Sequence, residues 1–141
     1  MKRAAIMALL LFAGMGVAHA QQDDEKIDCN NAQNQADMNQ CAYMDFDKAD
    51  KQLNAVYKQA LKSQADMDKQ NAEFDENQAG AVKALKKAQR AWIDYRDGEC
   101  AAEGFQARGG SMEPMLISGC KAKLTRQRTG ELKGLADGLE Q

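Results

Sequence analysis

The stretch LKKAQRAWIDYRDGEC, residues 85–100, holds the only tryptophan of the chain and one of its four cysteines. Four of its residues recur at steps of three and four, and therefore lie along one face of a helix: Gln89, Trp92, Arg96 and Cys100. That face combines an amide, an aromatic ring, a guanidinium and a thiol. The stretch thus predicts a helix whose partly polar face needs partners from the rest of the chain.

Two interpretations of this face are open. It is either the wall of a pocket, with Trp92 and Arg96 as binding groups, or a packing face within a helical bundle. The second is favoured, because no nucleophile lies beside a base here. Trp92 then fills the space between helices, while Arg96 lays its stem on apolar surface and its head meets a carboxylate of an earlier helix. Asp45 and Asp50 are the candidate carboxylates.

Helical periodicity extends over most of the chain. β-Branched and aromatic residues are few, and proline occurs once, at Pro114, which favours helix over strand. Apolar residues recur every three or four positions over about residues 35–63, 78–102 and 112–135, and these segments predict three helices. The first helix is expected to run on into the polar segment that follows it and to turn between Met67 and Gln78.

Three side chains carry further expectations. Phe74 is expected to anchor the turn between the first two helices to the core. Tyr95 is expected on the inward side of the second helix, together with Trp92. Ser111 is expected to cap the third helix, with Glu113 in its first turn, where the helix dipole favours an acid.

The first twenty residues, MKRAAIMALLLFAGMGVAHA, have the three parts of a secretory signal peptide. Lys2 and Arg3 form a basic start, an apolar run follows, and Ala18-His19-Ala20 matches an A-x-A cleavage site. The run is too short to span a membrane comfortably. We therefore predict a signal peptide over residues 1–20, cleavage after Ala20, and a flexible N-terminus over residues 21–28. The protein is then periplasmic or secreted, with no membrane insertion after cleavage.

Charge and histidine content bear on the class of function. Without the first twenty residues, which carry two basic residues and no acid, 17 Lys and Arg stand against 21 Asp and Glu, a net charge of −4. This balance argues weakly against nucleic acid or an anionic membrane surface as partner. The only histidine is His19, so the mature chain has no Ser-His-Asp or Cys-His system and no histidine-ligated metal. We predict no enzymatic activity, no cofactor and no metal.

The cysteines indicate a disulfide framework, as expected for an even number in an exported chain. Three pairings are possible, and the spacings favour Cys29–Cys41 and Cys100–Cys120 without excluding the others. A zinc site of four thiolates is disfavoured, because no C-x-x-C pair is present. Since about twelve residues of helix span about 18 Å, beyond disulfide reach, a Cys29–Cys41 bond requires the chain to turn back in a short turn or helical piece.

Five segments together resemble the LprI-type lysozyme-inhibitor domain: QADMNQCA (35–42), ADKQLNAVY (49–57), LKKAQRAWIDYRDGEC (85–100), GGS (109–111) and CKAKLTRQRTGEL (120–132). They occur in order, and we assign an LprI-like helical domain to residues 29–137. The resemblance implies an exported, all-α bacterial domain with two disulfides. The expected fold is a small antiparallel bundle of three main helices plus a short N-terminal helical turn, stapled by two disulfides.

The resemblance also singles out a set of recurring polar and aromatic residues. We interpret them as helix-packing and interhelical hydrogen-bonding groups, because buried polar groups need partners. The set consists of Asn39, Asp50, Asn54, Tyr57, Gln89, Trp92, Arg96, Asp97, Thr125 and Arg128.

For function, the resemblance implies inhibition of lysozyme. The expected partner is lysozyme or another peptidoglycan hydrolase, and the expected contact is the loop of residues 103–113. A Cys100–Cys120 bond would hold the ends of this loop and reduce the entropy lost on binding. Phe105 would be its aromatic anchor, Arg108 the partner of catalytic carboxylates, and Ser111 a hydroxyl contact. The alternative is that Gly109-Gly110-Ser111 only turns the chain.

A second class of function stays open, that of a non-enzymatic structural or stress-related periplasmic binding or helper protein of unknown target. A large exposed apolar groove between helices would favour it. An ordered, protruding loop 103–113 would favour the inhibitor.

Overall fold

A computed structural model describes residues 27–138, so the predicted signal peptide and most of the predicted flexible N-terminus lie outside the described residues. Three helices form the described chain: α1 (Gln35–Phe74), α2 (Ala81–Gly104) and α3 (Glu113–Asp137). Two short 3₁₀ turns lie in the connections: Glu76–Gln78 and Phe105–Ala107. No strand occurs in this part of the chain, and the predicted all-α fold with three main helices is confirmed.

α1 is 40 residues long, about 60 Å at the rise of an α-helix. At its start the Asn34 side chain accepts a hydrogen bond from the N–H of Asp37 (2.9 Å) and donates one to the Asp37 carboxylate (2.7 Å). The helix ends at Phe74, inside the predicted window, because Asp75 adopts an extended backbone and its side chain caps the following turn.

The N-terminal piece predicted as a short helical turn is a single hydrogen-bonded turn. The N–H of Asn31 donates to the carbonyl of Asp28 (3.0 Å), and residues 27–34 contain no helix. Within this short connection the chain turns back, so that Cys29 meets Cys41 in the second turn of α1, with Cα atoms 5.5 Å apart. Cys100 and Cys120 form the second disulfide, with Cα atoms 5.4 Å apart. Both favoured pairings are confirmed.

The three helices are arranged up, down and up. α2 runs antiparallel to α1, since Asp50 of α1 meets Arg96 while Asp68 meets Gly80. α3 runs parallel to α1, because the residue numbers on both sides increase from one contact to the next. The contacts are Asn39 with Ser111 just before α3, Asp45 with Arg126, and Gln64 with Leu135.

The core lies where the three helices meet. α1 and α3 share the most extensive contact, and their buried residues are mostly small: Ala49, Ala60, Ala122 and Thr125. Each helix also sends one leucine to the centre: Leu53, Leu85 and Leu132. Trp92 packs against this cluster, as predicted from the opening stretch.

Two predicted core residues are exposed. Tyr95 is 56% exposed, because the other two helices cover only the face of α2 that carries Leu85, Trp92 and Cys100. Phe74 is 87% exposed. α3 ends at Asp137, with Leu135 level with Gln64 of α1, so the last turns of α1 extend past α3 and do not anchor the connection to the core.

No helix within residues 27–138 has the length and apolar character needed to cross a membrane.

Candidate functional site

The connection between α2 and α3 begins with a close approach of the two helices. Gly104 is buried, and a Cβ atom there would lie 2.5 Å from Cγ1 of Ile117. Only glycine therefore allows the end of α2 to contact the start of α3 in this way. One turn earlier, the Cys100–Cys120 disulfide links the same two helices. The loop 103–113 thus leaves and re-enters the bundle at fixed points.

Hydrogen bonds within the loop fix its path. The guanidinium of Arg108 donates to the Glu113 carboxylate (2.6 Å), and the N–H of Gly109 donates to its other oxygen (2.8 Å). These contacts hold the pKa of Glu113 below its usual value, and the hydrogen bond from Gly109 has the largest effect. The N–H of Gly110 donates to the carbonyl of Ala107 (2.8 Å), and Gly109 has φ +76°, which favours glycine.

The loop is also attached to α1. The Asn39 side chain donates to the Ser111 carbonyl (3.0 Å) and accepts from the Gln35 side chain (2.9 Å). Cys29 is bonded to Cys41 on the same part of α1. Both disulfides therefore lie at one end of the bundle, together with the loop 103–113, and we call this the braced end. The opposite end, residues 68–82, where α1 passes into α2, is the hairpin end.

Phe105 and Arg108 are on the surface of the loop, as predicted. Phe105 is 61% exposed, and Met112 beside it is also exposed. The guanidinium of Arg108 lies over the Phe105 ring, 4.7 Å from its centroid. The loop residues 105–108 and 110–112 surround a shallow groove of about 490 Å³.

Two features of the loop differ from expectation. Ser111 is exposed but does not cap α3, whose first residue is Glu113 and whose N-cap position, Met112, makes no side-chain capping bond. The Ser111 carbonyl is instead taken by Asn39. Arg108 is not a free cation, because Glu113 neutralises it.

The face of α2 that carries Arg96 is a packing face. Arg96 is 8% exposed and donates to Asp50 (3.1 Å) and to Asp97 (2.9 Å). Its guanidinium lies 5.1 Å from the centroid of Trp92 and 5.2 Å from that of Phe46. Of the two candidate carboxylates, Asp50 is the partner of Arg96.

Other members of the recurring set extend these contacts between helices. Asn54 donates to the second oxygen of Asp50 (2.9 Å). Buried Gln89 accepts from Arg128 of α3 (3.1 Å), and Tyr57 packs against the leucine cluster. These contacts give each of the three helices a polar attachment to another.

Asp97 joins α2 to α3 as well. Its carboxylate lies 3.1 Å from Nζ of Lys121 and 2.9 Å from Nε of Arg96. Burial acts to raise the pKa of Asp97, but the hydrogen bonds from Arg96 and Lys121 outweigh it and lower the pKa. Asp97 is therefore held as a carboxylate between two cations.

Two attachments were not predicted from the sequence. Asp45, the other candidate for Arg96, pairs with Arg126 of α3 (2.9 Å). Asp68 accepts from the N–H groups of Gly80, Ala81 and Val82 (2.7, 2.7 and 3.1 Å) and so caps α2 from α1. The only local sign of this cap in the sequence is Gly80. The residue before a helix usually caps it with a side chain, and glycine has none, so the cap must come from elsewhere.

Other surfaces of the described residues offer little chemistry. No group of three or more His, Cys, Asp or Glu within residues 27–138 is placed to hold a metal ion. A groove of about 510 Å³ between α1 and the end of α3 is lined mainly by polar side chains such as Gln59, Lys62, Ser63 and Gln70.

Comparisons with known proteins identify a relative and a family. The chain is 52% identical over 139 residues to an uncharacterized protein of Rhizobium meliloti (strain 1021), a match that covers 98% of this chain and 99% of the relative. No solved structure matches it. The model of the family described as lysozyme inhibitor LprI matches residues 28–132, which include both disulfides, the loop 103–113 and the polar contacts between helices. The protein therefore belongs to the LprI lysozyme inhibitor family.

Proposed function

We propose that this protein inhibits a peptidoglycan-cleaving enzyme, of the lysozyme type, by placing the loop 103–113 in the substrate cleft of that enzyme. Family membership supports the class of function. The observation that carries the choice of surface is that both disulfides and the Asn39–Ser111 bond lie at the end that exposes Phe105. A loop that is ordered before binding loses less conformational entropy when it binds.

Within this proposal Phe105 is the anchor and Met112 the second apolar contact. Exposed aromatic residues on a rigid support are common centres of interface energy. Arg108 is assigned a positioning role, because its charge is already paired with Glu113 and its guanidinium supports the Phe105 ring. Ser111 is left as a hydroxyl contact at the edge of the groove.

The proposal includes an extracytoplasmic location and no catalytic role. Two disulfides support the location, since such bonds persist in oxidising compartments. A family of inhibitors supports a binding role. The helper alternative has no comparable support, because the groove between α1 and α3 is lined mainly by polar residues.

The test is a titration of the oxidised chain, from Gln21 onward, into lysozymes of several classes acting on cell-wall substrate. Stoichiometric inhibition is expected for at least one class. Phe105→Ala should weaken inhibition by at least about thirtyfold, the effect of removing a central aromatic anchor. The matched control is Phe74→Ala, which removes a still more exposed ring from the hairpin end and should leave inhibition unchanged.

The outcomes test the proposed inhibition and the proposed contact surface, the loop 103–113, separately. Absence of inhibition by the unaltered chain against every class would refute the proposed function. Inhibition that survives Phe105→Ala would keep the function and refute the choice of the loop.

A further inference from the structure

The first half of α2 carries a dense group of positive charges on its outward side: Lys83, Lys86, Lys87 and Arg90, the basic face. These residues follow one another at helical spacing, opposite the buried face that carries Leu85 and Gln89, and all four are exposed. None of them forms a salt bridge within residues 27–138. No acidic residue occurs between positions 81 and 93.

This arrangement is unfavourable for the helix that carries it. Like charges three and four residues apart repel one another, and cations near the start of a helix oppose its dipole. Two acids near this half of α2 are already engaged, and no acid within residues 27–138 forms a salt bridge with any of the four cations. Asp68 accepts three backbone N–H groups, and Glu131 is paired with Arg128. An arrangement that lowers stability without internal compensation is typical of a functional surface.

We propose that the basic face docks the protein on an anionic phospholipid surface. None of the four side chains lines any of the described grooves, and no aromatic residue lies among them on which a nucleobase could stack. These three grooves therefore offer a discrete ligand no cradle on the basic face. A plane of negative charge, by contrast, meets all four cations at once, and basic residues grouped on a helix are attracted to such a plane.

The contact is peripheral and is confined to the first half of α2. The exposed residues between the four cations are alanines, so nothing on the basic face inserts into the hydrocarbon. The second half of α2 is acidic, with Asp94, Glu99 and Glu103 exposed. The connection before α2 is acidic as well, with Glu73, Asp75 and Glu76 exposed. The first half of α2 is therefore attracted to the surface, while the acidic segments on either side of it are repelled. The net charge of −4 calculated for the chain after residue 20 is a sum over basic and acidic segments, and it does not show that the first half of α2 is basic. The inference does not depend on the proposed inhibition.

The experiment is co-sedimentation with vesicles. The oxidised chain from Gln21 onward is used, because all three helices and both disulfides lie beyond that residue and the apolar run of residues 4–17 would bind lipid by itself. Vesicles contain phosphatidylcholine alone or a mixture with phosphatidylglycerol. Binding is expected only to the mixture, and it should be lost at high salt.

Two variants with the same change of net charge decide whether the face matters. Lys86→Glu/Lys87→Glu should lower the partition coefficient at least about tenfold. Lys58→Glu/Lys69→Glu changes two exposed lysines of α1 that form no salt bridge within residues 27–138, and it should lower the partition coefficient much less. Circular dichroism and thermal melting confirm that both variants are folded.

Three results would overturn the proposal. The first is equal binding to both kinds of vesicle, and the second is an equal loss of binding in both variants. The third is binding of soluble polyphosphate by the basic face without binding to the mixed vesicles, which would assign the face to a polyanion instead.

Discussion

At the scale of single residues, Thr125 is the clearest case within residues 27–138 of a buried polar group that lacks a hydrogen-bond partner. It is fully buried in α3, and its hydroxyl has no hydrogen-bond partner among residues 27–138. An unpaired buried hydroxyl costs about 1–3 kcal/mol, and valine has a similar shape without it. Thr125→Val is expected to raise the free energy of unfolding by about 1 kcal/mol, measured by urea denaturation. Thr129→Val is the control, because the Thr129 hydroxyl donates to the Thr125 carbonyl (2.8 Å) and its removal should give no gain. A loss of stability in Thr125→Val would contradict the argument.

Asp68 gives the fold a dependence on pH. Its pKa is lowered in the folded state by N–H groups of Gly80, Val82 and Ala81. A lowered pKa means that the contribution of Asp68 is fully present above its unfolded pKa, about 3.9, and is lost as pH falls through the lower folded value. Thermal melting between neutral pH and strongly acidic pH should show that Asp68→Asn is less stable than the unaltered chain at neutral pH and that the difference shrinks in acid.

The control for this effect is Asp94→Asn, on the exposed side of α2. Asp94 makes no salt bridge within the described residues. Its replacement should leave stability nearly unchanged at either pH. A gap between Asp68→Asn and the unaltered chain that stays constant with pH would show that the carboxylate charge is not what stabilises the hairpin end.

The contrast between Arg96 and Asp68 shows which residue contacts a sequence reveals. The partner of Arg96 was narrowed to Asp45 or Asp50, since a buried guanidinium on a packing face needs a carboxylate on the neighbouring helix. Asp50 fills that role. Asp68 caps a helix that begins thirteen residues later, and no local pattern encodes a cap supplied across a connection. The pairing of Arg108 with Glu113 was missed for a similar reason, because it depends on the path of the loop.

At the scale of helices, the junction of α2 and α3 depends on one glycine. Gly104→Ala would place a methyl group 2.5 Å from Cγ1 of Ile117, and such overpacking costs about 1–3 kcal/mol. Gly98→Ala on the same helix meets nothing within 4 Å and should stabilise by about 0.5–1 kcal/mol, through helix propensity. Chemical denaturation of the two variants should therefore give shifts of opposite sign. Shifts of the same sign would mean that Ile117 yields without cost.

The helices themselves were predictable, and their edges were not. Periodicity located all three, since each has one apolar face that the bundle must bury. The errors at Tyr95 and Phe74 have a common cause. The spacing of apolar residues along a helix does not show how wide a face of that helix the other helices cover, or where a neighbouring helix ends. Ser111 was misassigned because the residues before α3 form a turn, in which Glu113 donates its N–H to the Gly110 carbonyl.

At the scale of the whole molecule, the two ends of the bundle are held by different means. The braced end has both disulfides, the Gly104–Ile117 contact and the Asn39–Ser111 bond. The hairpin end has the Asp68 cap and lies next to a weak bond from Gln64 to the Leu135 carbonyl (3.5 Å). Residues 72–80 are exposed throughout. Stability is thus concentrated at the end that carries the proposed inhibitory loop.

This division predicts which end opens first. In native-state hydrogen exchange, amides of residues 68–82 should open at a lower free energy than those of residues 100–120. Cys100→Ala/Cys120→Ala should lower the free energy of unfolding by about 3 kcal/mol, the chain-entropy value for a loop of this size, and should reverse that order, because the loop 103–113 then keeps only its noncovalent contacts. The control is Cys29→Ala/Cys41→Ala, which releases the segment before α1 and should leave the order unchanged. If both variants loosen the two ends equally, the disulfides stabilise the molecule as a whole and do not brace the loop.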